Sequence, residues 1–177
     1  MKLVILDRDG VINEDSDDYI RSVDQWTPVA GSIEAIARLC RAGYAVAVAT
    51  NQSGVGRGYF SPAVLDAIHA RLEEEVRRAG GELSCICFCP HTPADDCQCR
   101  KPRPGLVRQI EERLGCSAEG AWLVGDSPCD MELAAGCGCR AALVRTGKGQ
   151  RTLQAGINRE SVSVFDSLSH FSRFLLK

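Results

Sequence analysis

Apolar residues along this 177-residue chain fall into two kinds of run that alternate. Short β-branched runs occupy Leu3–Leu6, Tyr44–Ala49, Leu83–Phe88, Ala121–Val124, Ala141–Val144 and, with fewer apolar residues, Val162–Phe165, the pattern of buried strands. Helical spacing fills the gaps. One helix is predicted from near Ser32 to just before Gly43. A second has Ser61 as its N-cap and Pro62 as its first residue, with a buried stripe of Leu65, Ile68, Leu72 and Val76. A third runs from Pro104 to Leu114 and stops at Gly115. A fourth covers roughly Pro128 to Ala135, and the last carries Leu168, Phe171 and Leu175. Strand–helix alternation of this kind builds right-handed crossovers. The predicted class is therefore α/β, a Rossmann-like three-layer parallel sheet with helices on both faces.

Composition narrows the function by exclusion. The length suits one domain over residues 1–177, and 45% hydrophobic residues suffice for a core. A net charge of −2 lacks the basic excess of a nucleic-acid binder. No apolar run reaches the length of a membrane span, and the chain opens directly on a strand-like run without a signal peptide. The expectation is a soluble cytoplasmic protein with no nucleic-acid or membrane partner. Ten cysteines then read as metal ligands or reduced thiols rather than a disulfide framework.

In a parallel sheet the chemistry lies beyond the carboxyl ends of the strands, and four polar motifs follow the apolar runs. Asp7-Arg8-Asp9-Gly10-Val11 follows the first. One aspartate in a strand-ending turn is ordinary. Two at i and i+2 repel unless a cation neutralises them, and magnesium suits carboxylates, carbonyls and phosphate oxygens. Thr50, Asn51 and Gln52 end the second run, in what alone would be a common turn. Lys101, within Arg100-Lys101-Pro102-Arg103-Pro104-Gly105, stands before a helix start, where an ammonium and a helix N-terminus can share a phosphate. Alone it would be a solvated basic loop. Asp126 and Asp130, in Gly125-Asp126-Ser127-Pro128-Cys129-Asp130, lie one helical turn apart, and Asp126 alone could be a simple cap.

A separate cluster follows the third run. Cys89, His91, Cys97 and Cys99 have the spacing C-x-H-x₅-C-x-C. Three thiolates and an imidazole make a closed tetrahedral zinc site, which is structural rather than catalytic. This zinc loop, 89–103, would fix the position of Lys101. Buried thiols are the simpler reading for Cys85 and Cys87, but not for residues set among Pro, Asp and Thr.

The order Asp-x-Asp, Thr, Lys, Gly-Asp-x-x-x-Asp, each part after its own strand, resembles the haloacid dehalogenase superfamily of aspartyl phosphotransferases. The resemblance spans nearly the whole chain. It implies Asp7 as nucleophile and Asp9 as general acid and base, with Thr50 and Lys101 clamping the phosphoryl group. It also implies Mg²⁺ held by Asp7, the Asp9 carbonyl and Asp126, with Asp130 in support. No inserted cap domain fits: the spans from Gly10 to Gly31 and from Asn51 to Ser61 read only as loops. Within the superfamily, Asp7–Asn13, Asn51–Phe60 and Val144–Gly149 look like the D-glycero-D-manno-heptose 1,7-bisphosphate 7-phosphatase family, while the short zinc loop looks like that of histidinol-phosphate phosphatases. The first resemblance implies a small sugar phosphate as partner, a role in nucleotide-activated heptose biosynthesis for the lipopolysaccharide core, and a monomer. Asn51, Gln52 and Ser53 would then face sugar hydroxyls, and Arg57 and Arg100 a second phosphate. A histidinol-phosphate or other sugar-phosphate phosphatase, a mutase, and a non-enzymatic zinc-loop binding module are the rival readings.

Overall fold

Six strands form a single parallel sheet in the order β3-β2-β1-β4-β5-β6 in the computed structural model, which describes all 177 residues. They are β1 (Lys2–Leu6), β2 (Tyr44–Asn51), β3 (Cys85–Cys89), β4 (Trp122–Gly125), β5 (Arg140–Val144) and β6 (Val162–Phe165). The helices are α1 (Ser32–Arg41), α2 (Ser53–Gly56), α3 (Pro62–Arg78), α4 (Gly105–Leu114), α5 (Pro128–Gly136), α6 (Gly149–Ala155) and α7 (Leu168–Leu175).

Side chains alternate across each strand, and β1 shows the consequence. Val4 and Leu6 point to one face, under α1, α3 and α7 with Ile36, Leu72 and Phe171. Leu3 and Ile5 point to the other, under α4 and α5 with Leu106, Ile110 and Leu133. The α3 stripe of Leu65, Ile68, Leu72 and Val76 is fully buried, and the Ser61 hydroxyl accepts from Val64 N at its start. Strand order reverses direction at β1 and β4, so their carboxyl ends flank the crevice where a ligand can enter. No helix is long and apolar enough to cross a membrane.

Two local expectations need correction, and one helix has no counterpart among the predicted elements. The span Asn51–Ser61 is not only loop: it contains the one-turn helix α2. Helix α6 follows the glycine-rich Thr146–Gly149 turn and carries too few apolar residues to show a period. The third strand lies two residues later at its start than the apolar run, and it takes in Cys89, which is wholly buried at its end rather than in the loop.

Candidate active site

The turn after β1 brings Asp7 into the crevice and bends sharply at Gly10. Gly10 has φ +81°, and a Cβ there would lie 2.0 Å from Asp126 Oδ2. Gly147, at φ +57°, closes on the same spot, its own would-be Cβ 2.4 Å from Gly10 Cα. Two glycine turns thus pack backbone to backbone under Asp126, and the Thr146 hydroxyl donates to Gly10 O at 2.6 Å to hold them.

Five sequence-predicted residues meet here. Lys101 is buried, and its ammonium donates to Ala49 O at 2.9 Å, reaches Asp7 Oδ1 at 2.9 Å and Asp130 Oδ1 at 2.7 Å. Asp7 Oδ1 also accepts from Arg8 N at 2.7 Å, which leaves Asp7 Oδ2 without a protein partner. Thr50 is buried at the end of β2 and takes Gln52 Nε2 at 2.9 Å. Asp126 Oδ2 accepts from Lys148 N at 2.7 Å. Asp130 is fully committed: its other oxygen takes Ser127 N and Ser127 Oγ.

Carboxylate oxygens of Asp7, Asp126 and Asp130 lie within 4.8 Å of one another. Burial, Asp130 and Asp9 raise the Asp7 carboxyl to about 7 despite Lys101. Burial, with Asp7 and Asp130, raises Asp126 to about 8. Burial lowers the Lys101 pKa, but Asp130 and Asp7 outweigh it and hold the ammonium charged. Mutually repelling, buried carboxylates of this kind fit a divalent oxygen-seeking cation.

Asp9 has the opposite environment. Burial pushes its carboxyl up, yet the Arg8 charge and hydrogen bonds from Asn13, Gln52 and Arg8 hold it below the usual carboxylate range. In the metal-free site the two aspartates of one motif are therefore driven apart, Asp7 toward its protonated form and Asp9 toward its ionised one, and a cation beside Asp7 would reverse the first of these.

The crevice is a cleft of about 270 Å³ lined by Asp7, Asp9, Thr50, Lys101 and Asp126, with Asp15, Asp17, Tyr19, Asn51, Ser53, Arg100 and Lys148 toward its mouth. Ser53 and Arg100 thus both line the cleft. Asn51 lines the cleft, but its amide is engaged with the Lys101 backbone, accepting from Lys101 N at 3.0 Å and donating to Lys101 O at 3.3 Å. Gln52 is buried behind Thr50 and Asp9, away from the cleft lining. Arg57 is exposed at the C-terminal end of α2 and does not line the cleft.

Sequence reasoning missed Lys148, Arg8 and His69. Lys148 reaches Asp15 Oδ2 at 3.3 Å across the cleft mouth. Its signal was present as a lone lysine in a glycine-rich turn after β5. Arg8 and His69 carried weaker signals, a cation between two acids and a polar residue beside a buried stripe.

The zinc-loop residues converge as one tetrad. Cys99 Sγ lies 3.2 Å from both Cys89 Sγ and His91 Nδ1, and 3.5 Å from Cys97 Sγ, while Cys89 and Cys97 are 3.6 Å apart. A tetrahedron of ~2.3 Å Zn–S bonds has edges of about 3.8 Å, so the set fits zinc closely. Arg103 braces the loop by donating to Asp96 O at 2.8 Å and Cys97 O at 2.6 Å. The start of the loop is tied to the end of β2 by Gln52 N, which donates to Cys89 O at 2.7 Å.

Comparison with known proteins agrees with this geometry. A family model described as polynucleotide kinase 3 phosphatase matches residues 2–132, and one described as HAD-hydrolase-like matches residues 98–171. The chain is 55% identical to the D-glycero-beta-D-manno-heptose-1,7-bisphosphate 7-phosphatase of Pseudomonas aeruginosa, over 99% of this chain and 98% of that one. Its fold superposes with a TM-score of 0.96 on the crystal structure of D,D-heptose 1,7-bisphosphate phosphatase from Bordetella bronchiseptica complexed with magnesium and phosphate. That match is at 46% identity over 99% of this chain and 98% of that one. The corresponding enzyme from Burkholderia thailandensis matches at 41% identity with a TM-score of 0.79, over 100% of this chain and 99% of that one. With identity this high over almost the full length of both partners, the chain belongs to the D-glycero-β-D-manno-heptose-1,7-bisphosphate 7-phosphatase family of haloacid dehalogenase-like hydrolases.

Proposed function

We propose that the protein is a Mg²⁺-dependent phosphatase that removes the 7-phosphate of D-glycero-D-manno-heptose 1,7-bisphosphate in the cytoplasm, acting as a monomer in the supply of nucleotide-activated heptose for lipopolysaccharide core synthesis. The observation that carries the chemistry is the meeting of Asp7, Thr50, Lys101 and Asp126 at the carboxyl ends of β1, β2 and β4. With Asp7 Oδ1 pinned by two donors, Oδ2 is the oxygen left to attack phosphorus and form the aspartyl-phosphate. Thr50 and Lys101 hold the transferring oxygens. Asp9, ionised in the free site, would take the proton carried by the bound phosphate monoanion, pass it to the departing sugar alkoxide, and then take one from the water that cleaves the aspartyl-phosphate. Mg²⁺ held by Asp7, the Asp9 carbonyl and Asp126 would neutralise charge as an anion approaches an anion, the main demand of phosphoryl transfer. Zinc at Cys89, His91, Cys97 and Cys99 would brace the Lys101 segment without entering the chemistry.

Substrate choice rests on the named relatives and on the cleft. Arg100 and Lys148 are its two cations outside the phosphoryl site, placed for a second phosphate at the mouth. Arg100 and Lys148 thus take the part the sequence reading gave to Arg57 and Arg100. Asp15 and Asp17 beside them make a poor bed for a polyanionic nucleic acid.

Two measurements test this. Asp7→Asn should fold and lose turnover, since an amide cannot attack phosphorus; near wild-type rates from that variant would remove Asp7 from the mechanism. A comparison of kcat/KM on the heptose bisphosphate and on histidinol phosphate, with phosphorus NMR, should favour the bisphosphate and show the 7-phosphate leaving. Preference for histidinol phosphate, or release of the anomeric phosphate, would replace the substrate while leaving the phosphatase chemistry intact.

A further inference from the structure

Arg8 is wholly buried, although it stands between two acids at the edge of a polar cleft. Its guanidinium turns away from Asp7 and grips Asp9. Nε donates to Asp9 Oδ1 at 3.0 Å, and Nη2 donates to Oδ1 at 2.9 Å and to Oδ2 at 3.2 Å. Nη2 also reaches Gln52 Oε1 at 3.2 Å, and Nη1 lies 3.2 Å from His69 Nε2. Asn13 Nδ2 donates to Asp9 Oδ1 at 2.8 Å, and Gln52 Nε2 to Oδ2 at 2.9 Å. Both oxygens of Asp9 are thus held from behind. Its carboxylate stays out of the group that Asp7, Asp126 and Asp130 form.

His69 comes from α3, on the flank of the buried stripe, with its ring tilted against Phe88 of β3 at 5.6 Å. What a buried guanidinium needs on that side is an acceptor without charge. A carboxylate would compete with Asp9 for it, and an imidazolium would repel it. A neutral imidazole accepting through Nε2 meets both conditions. Burial, together with the Arg8 charge, keeps the ring neutral by lowering its pKa to about 4.

We propose that Arg8, braced by His69, is a positioning residue that holds the Asp9 carboxylate in place for proton transfer and out of the carboxylate cluster that faces the cation. Asp7 and Asp9 are two residues apart and chemically identical, so their division of labour needs a device, and the Arg8 grip supplies one. The inference rests on the reading of Asp9 as the proton carrier.

The test exploits the leaving group. An alkyl phosphate needs a proton on its departing oxygen, whereas 4-nitrophenyl phosphate releases a stable anion without one. In Arg8→Met, kcat/KM for the heptose bisphosphate should fall about 100-fold, as a misplaced catalytic group costs, while kcat/KM for 4-nitrophenyl phosphate stays near the wild-type value. His69→Leu should move the two substrates apart in the same direction, and His69→Gln, which keeps a neutral acceptor, should restore the alkyl substrate. Equal losses on both substrates, or His69→Gln no better than His69→Leu, would overturn the proposal. If Arg8→Met does not fold, the His69 pair decides. Asp9→Asn run alongside separates the levels: equal alkyl and aryl losses there would sink the proton-carrier reading and this proposal together. Selective alkyl loss in Asp9→Asn, without it in the Arg8 and His69 variants, would sink this proposal alone. Were the heptose bisphosphate not turned over, the same comparison on whichever alkyl phosphate the enzyme does hydrolyse would still decide.

Discussion

At the scale of single residues, the site gathers like charges in a confined space. Asp7 and Asp126 are buried together and raised to about 7 and about 8, so in metal-free protein each binds its proton more tightly when folded than when unfolded. The sign follows from linkage: a carboxyl raised on folding contributes stability below its unfolded value near 4, and this is lost as pH rises through its folded value. Metal-free protein should therefore lose stability between about pH 4 and 8. Mg²⁺ relieves the ionised pair, so its stabilising effect should grow over the same window. Thermal melts at pH 5.5 and pH 8, with and without Mg²⁺, check this, and a larger Mg²⁺ shift at the acidic end would refute it. Gly10 and Gly147 matter at the same scale, because any Cβ at either would strike the Asp126 carboxylate or the facing backbone.

At the scale of elements, the segment from β3 to α4 ties the Cys₃His tetrad to Lys101. Cys99 closes the tetrad, and Arg100 and Lys101 follow it immediately, with Asn51 fixing the Lys101 backbone to the end of β2. The segment contains no strand or long helix of its own between Cys89 and Gly105. The Thr92–Asp95 capping box, Arg100 on His91 O, Arg103 and the Asn51 pairing hold it, and a zinc ion at the tetrad would add to them. Purified protein should carry about one zinc per chain, as a closed Cys₃His site holds it, while activity still requires added Mg²⁺. Cys97→Ser should lower the zinc content and depress kcat, since Lys101 would lose its fixed approach to Asp7. Elemental analysis finding no zinc in folded, active protein would rule the site out.

For the whole molecule, one sheet supports both hydrophobic clusters. Alternate residues of the same strands feed each face, so neither face can melt without exposing the other's backbone. Loop contacts add to the tie across the cleft. Arg151 pairs with Asp17, Lys148 with Asp15, and the Tyr19 ring meets the Tyr59 ring edge-on at 5.2 Å. We propose that residues 1–177 therefore form one cooperative unit, and calorimetry of the zinc-loaded protein should show a single transition. Two resolved transitions would contradict that.

The architecture was legible in the sequence because its signals are local and periodic. Strand runs, the α3 stripe and the Ser61 cap depend on neighbours a few residues away. So does the rule that chemistry follows strand ends, which located Asp7, Asp9, Thr50, Lys101 and Asp126 as candidates. The Cys₃His spacing was equally local. Only the tertiary structure decided which polar residues share a volume. Arg57 and Lys148 are both cations in glycine-rich turns, and nothing nearby in the chain tells which one faces the cleft. Gln52 and Asn51 are adjacent, yet one braces Asp9 and the other holds the Lys101 backbone. Arg8 and His69 lie 61 residues apart, and their contact exists because α3 packs over the end of β1. Such pairings depend on sheet order and helix packing, which no short window of sequence contains.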